Sequence, residues 1–86
     1  MLYTFVTEYL GGTYISQIRA KSPDDALSLS VCTLGNLLGT DIEFAASDKA
    51  SPITGRVGVW CATALDSSEK LILMHIIQTS ECSAVV

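Results

Sequence analysis

His75, Cys61 and a few neighbouring carboxylates are the residues of this chain whose types could do chemistry. His75 is the only histidine among 86 residues, and imidazole is the commonest general base near neutral pH. It lies within Leu71-Ile72-Leu73-Met74-His75-Ile76-Ile77. A lone imidazole in so apolar a strand reads as a core or interface group ahead of a catalyst. If the last two strands pair as a hairpin, Cys61 comes within reach of His75, and a thiolate beside an imidazolium is a working nucleophile. No third residue is placed to orient them. His75 and Cys61 are the two reactive candidates, and with Trp60 they outline a pocket that a dimer interface would complete.

Asp24 and Asp25 are adjacent, so on a helix they point in different directions, and capping explains both. Asp41 and Glu43 share a strand face and could meet a cation together with Asp48. They lack the ligand count and glycine spacing of a calcium loop and read as a solvated face. The three cysteines, Cys32, Cys61 and Cys82, are an odd number at unrelated spacings, neither a disulfide framework nor a zinc pattern. They read as reduced thiols of a cytoplasmic protein, with Cys32 and Cys61 buried and Cys82 exposed. Gly11-Gly12, Gly35 to Gly39 and Gly55 to Gly58 match no phosphate-cradling pattern. No metal or cofactor is assigned.

The net charge is −4, and the five cations, Arg19, Lys21, Lys49, Arg56 and Lys70, are scattered. Nucleic acid needs a clustered basic patch, so that partner is not expected, and an anionic membrane surface is disfavoured likewise. Leu71 to Ile77 is far shorter than the roughly 20 residues that span a bilayer. The first residues lack the basic segment of a secretory leader. An apolar fraction of 49% with only 16% charged residues argues against disorder. So much apolar surface on a body this small points to a partner covering part of it. The reading is one domain over residues 1–78 with a tail over 79–86.

The elements that must position these groups follow from local pattern. Leu2 to Leu10 and Thr13 to Lys21 favour strand, and Gly11-Gly12 suits a two-residue turn with positive φ. That turn pairs Tyr9 with Tyr14, Thr7 with Ser16, Phe5 with Ile18 and Tyr3 with Ala20 on a core face, leaving Val6, Leu10 and Ile15 opposite. Ser22-Pro23-Asp24-Asp25 stacks a hydroxyl cap, a first-position proline and carboxylates at the positive end of a helix dipole. Leu27, Val31, Leu34 and Leu38 recur at helical spacing, with Ala26, Leu29 and Leu37 widening the stripe. The helix ends at Leu34 or continues to a C-terminal Gly39.

Ile42 to Ala46 alternates as a third strand, and Ser47 to Gly55 is a loop by composition. Arg56 to Thr63 is a strand with Val57, Val59 and Cys61 on one face and Trp60 on the other. A turn at Asp66-Ser67-Ser68 leads to Leu71–Gln78, apolar on both sides, a strand buried from both faces or a short buried helix. The segment Gly12 to Ala26, a glycine-turn hairpin running into Ser-x-Asp-Asp-Ala, resembles the corresponding part of the HicB-type antitoxins. No DNA-binding segment follows it, and no residue is carried over.

The pattern predicts an α+β domain of order β-β-α-β-β-β, a two-layer sandwich of a mainly antiparallel sheet with one helix on one face. Sheet order stays open, since the first hairpin can pair with either the third or the last strand. The expected role is a small acidic protein-interaction module of inhibitor, antitoxin or immunity type, working through a sheet face or edge as a homodimer or with a dedicated protein partner. Val6, Leu10, Ile15 and Trp60 are its candidate interface. The alternative is a small ligand-binding protein or enzyme with its pocket at a dimer interface near His75, Cys61 and Trp60.

Overall fold

A computed structural model of the chain describes residues 1–43 and 49–80. The elements are β1 (Leu2–Tyr9), β2 (Gly12–Arg19), α1 (Pro23–Leu38), β3 (Ile42–Glu43), β4 (Ser51–Pro52), β5 (Val59–Asp66) and β6 (Leu71–Thr79). The strands form one antiparallel sheet of order β2-β1-β6-β5-β3, with β4 also pairing with β5. The last long strand therefore sits beside the first, at the centre of the sheet, and α1 packs on one face in an α+β arrangement. No helix among the described residues is long and apolar enough to cross a membrane.

The first hairpin turns one residue earlier than the glycine pair suggests. Leu10 (φ 49°) and Gly11 (φ 80°) are the left-handed pair, the geometry of a primed two-residue turn. Tyr9 then faces Gly12, Thr7 faces Tyr14, Phe5 faces Ser16 and Tyr3 faces Ile18. Gly12 serves packing instead: a Cβ there would lie 3.1 Å from the Tyr14 ring. Moving the turn by one residue slides the partners by two, so each side chain keeps its expected face.

That face is the core. Tyr3, Phe5, Tyr9 and Ile18 are buried there with Ala62, Ala64, Ile72, Met74 and Ile76 from β5 and β6, under Ala26, Leu27 and Leu34 of the helix. Tyr14, Val31 and Leu38 are half-buried against them. Leu29 and Leu37 do not widen the buried stripe; both are exposed, because the helix turns only its Ala26, Leu27, Ser30 and Leu34 side fully inward. Cys32 is exposed on the same helix and is not a core residue.

The helix starts and stops where its local chemistry dictates. The Ser22 Oγ accepts from the Asp25 N–H at 3.1 Å, and the Asp25 carboxylate accepts from the Lys21 N–H. Asp24 accepts from the Ala50 N–H at 2.9 Å, tying the later loop to the helix N-terminus. Gly39, at φ 70°, closes the last turn by donating to the Gly35 carbonyl. Of the expected third strand, Ile42–Glu43 is present and the remainder lies outside the described residues. The fourth expected strand begins later, at Val59, and leaves Val57 fully exposed. The loop before it contains the two-residue β4.

Candidate functional site

Alternation along the strands assigns every side chain on β1, β2, β5 and β6 to one of two faces. Opposite the helix, no described helix or strand covers the sheet. Register places residues there in rows that cross the strands: Gln17, Thr4, Ile77, Val59; then Ile15, Val6, His75, Cys61; then Thr13, Glu8, Leu73, Thr63. Leu10, Leu71 and Leu65 continue the face at the hairpin end. Ile15 is 68% exposed, Leu10 67% and Leu71 59%, while Val6, Leu73, His75, Cys61 and Val59 are half-buried.

Val6, Leu10 and Ile15 thus share one surface with both reactive candidates. Trp60 does not join them. Its place in β5 is out of phase with Val59 and Cys61, and the even phase of β5 is the core side. The indole is half-buried there, edge-on to Tyr3 with ring centroids 5.9 Å apart. Trp60, His75 and Cys61 therefore do not line one pocket within a chain.

Cys61 and His75 are brought directly opposite each other. Two hydrogen bonds fix the kind of pairing: the Gln78 N–H donates to the Gly58 carbonyl at 2.8 Å, and the Asp66 N–H to the Lys70 carbonyl at 3.0 Å. Alternation from these makes Cys61 and His75 a non-hydrogen-bonded pair, in which Cα atoms approach to about 4.5 Å and side chains lie closest. No hydrogen bond among the described residues joins the thiol to the imidazole or orients either one. A nucleophile so placed lacks the aligned base that activation requires.

The polar group that is fully engaged lies on the core side. The Tyr9 hydroxyl reaches across the end of β6 and donates to Asp66 Oδ2 at 2.5 Å. Asp66 Oδ1 accepts from the Ser68 and Lys70 N–H groups at 2.7 and 2.8 Å. These donors, the Tyr9 hydroxyl first, hold the Asp66 carboxyl below its ordinary range, against the opposing effect of burial. The carboxylate in turn holds the Tyr9 phenol above its ordinary value, with burial adding to the effect. Asp66 is thereby a structural brace for the turn into β6, where Glu69 takes a left-handed φ of 64°. Sequence pattern showed a turn here but not this bond, since 57 residues separate its partners.

A shallow groove at the C-terminal end of α1, between Cys32, Asn36, Asp41 and Ser67, holds no histidine. The carbonyl end of the helix and Asp41 both disfavour an anion in it. Asp41 is exposed, while the Glu43 side chain and Asp48, its proposed partners for a cation, lie outside the described residues, as does Cys82. No group of three or more metal-ligating side chains occurs among the described residues. Comparison with protein-family models, curated proteins and solved structures returns no match.

Proposed function

We propose that this chain is a protein-association module that dimerises through the open face of its sheet. The observation that carries the reading is the composition of that face: Val6, Leu10, Ile15, Leu65, Leu71, Leu73 and Ile77 lie on one side of four paired strands. Apolar patches of a few hundred Å² on a monomer are often functional, and here the apolar side chains alternate with Thr4, Thr13, Gln17 and Thr63. Strands of eight residues, about 4.8 Å apart, give about 500 Å² in plan. Two copies face to face would bury about 1,000 Å², the lower bound for a specific interface.

Charge favours a second copy over a basic partner at this face. Glu8 and Arg19 are its only charged residues among those described, so the molecule's −4 is carried elsewhere. Exposed Asp24, Asp25, Asp41 and Glu69 lie off the open face. They are free to steer a basic protein of the kind an inhibitor, antitoxin or immunity protein would meet. The free thiols at Cys32 and Cys61 suit a reducing, cytoplasmic setting.

Ile15→Lys tests the face. Ile15 is exposed in the single chain, so the variant keeps its fold. Loss of one buried aliphatic side chain, about 1.5–3 kcal/mol, weakens dimerisation by about tenfold or more. Sedimentation equilibrium is expected to show a dimer for the parent protein and dissociation for the variant. A parent protein that stays monomeric throughout the micromolar range overturns the reading.

A further inference from the structure

We propose that Cys61 and His75 are half of a tetrahedral zinc site, completed by the same two residues of a second copy packed on the open face. The inference rests on the dimer reading above. Within one chain the pair supplies two ligands, too few for a structural zinc, and no third metal-ligating side chain joins them among the described residues. A two-fold axis supplies the other two. Their row, Ile15, Val6, His75, Cys61, is the middle one of the face, so a two-fold along it sets each Cys61 and His75 against its counterpart.

The chemistry and dimensions agree. One thiolate and one imidazole from each copy make a Cys₂His₂ set, a common closed zinc site, with Zn–S near 2.3 Å and Zn–N near 2.0–2.1 Å. Packed sheets lie about 10 Å apart, a gap that inward-facing side chains span from both sides. A non-hydrogen-bonded pair brings the two donors of each copy closest, which a shared ion needs. Val6, Val59, Leu73 and Ile77 surround the pair on the same face and would exclude water from it. Binding displaces the Cys61 thiol proton to solvent, so uptake strengthens as pH rises.

The test is titration of the metal-free protein with Zn²⁺, and with Co²⁺ as a spectroscopic substitute, while dimerisation is followed by sedimentation. The expected result is one ion per two chains, thiolate-to-Co²⁺ absorption with tetrahedral d–d bands, and a dimer midpoint lowered by roughly a hundredfold at saturating metal. Cys61→Ser and His75→Ala are expected to abolish the bands, while His75→Cys, which retains a ligand, keeps them. A metal-free dimer with no cobalt–thiolate band overturns the zinc site and leaves the dimer reading standing. A chain monomeric without metal and dimeric with it supports the zinc site and overturns association through the apolar face alone. One ion per chain, or bands that survive Cys61→Ser, also overturns the proposal.

Discussion

Asp66 and Thr7 are the two buried polar side chains whose surroundings differ most. Asp66 has all its near donors, and its lowered pKa makes a signed prediction. The unfolded carboxyl titrates near pH 3.9 and the folded one below that. In the interval the unfolded chain binds more protons, so the contribution of Asp66 is complete above about pH 4 and is lost as pH falls through the folded value. The Tyr9 phenol, raised in the folded state, contributes in full below about pH 10 and loses that contribution as pH rises further. Urea unfolding across the acid range is expected to show a shallower loss for Asp66→Asn than for the parent, and an unchanged acid limb would refute the assignment. Thr7 is fully buried, and its hydroxyl has no partner. Thr7→Val keeps the branched shape and removes the orphaned group, so a gain of about 1 kcal/mol is expected. Thermal denaturation would register it as a rise of about 4–8 °C in a domain of this size.

Hairpin β1–β2 shows how much of an element can be read from sequence and where such reading stops. Tyr3, Phe5, Tyr9 and Ile18 are in the core as their alternation requires, and Ser22 caps the helix that follows. Composition favours a turn at Gly11-Gly12, yet Leu10-Gly11 also contains a glycine able to take positive φ, and the turn falls there. The choice goes with the Tyr14 ring, which lies where a Cβ on Gly12 would come within 3.1 Å of it, a contact no propensity scale contains. That turn leaves Leu10, a non-glycine residue, in the left-handed region with its side chain in solvent. Such backbone costs about 1–2 kcal/mol for most residues and much less for asparagine. Leu10→Asn is therefore expected to raise the stability of the single chain by about 1 kcal/mol in urea while weakening dimerisation through the lost apolar contact. A variant that is more stable and equally dimeric would remove Leu10 from the interface. Trp60 and Cys32 differ from expectation for a related reason: alternation separates Trp60 from Cys61 without saying which face the helix covers, and a partial helix stripe does not say how much of it a sheet can cover.

The molecule as a whole was legible as a class and not as a topology. One helix and a mainly antiparallel sheet follow from the periodicities, whereas the neighbour of the first hairpin does not, since β3 and β6 offered apolar strands of similar character. The choice of β6 puts that strand in the middle of the sheet and sets Val6 beside His75. The spacing of Cys61 and His75 in sequence matches no metal pattern, and only the register of β5 on β6 brings them together. The same topology also governs the order in which the chain can fold. β1 finds one partner within a few residues and the other some seventy residues later, at Leu71–Thr79. Long-range pairings of this kind carry the largest loop-closure entropy and make folding slow. On a ribosome the first hairpin and the helix emerge with one edge of β1 unsatisfied, and they wait in that condition until β6 is released.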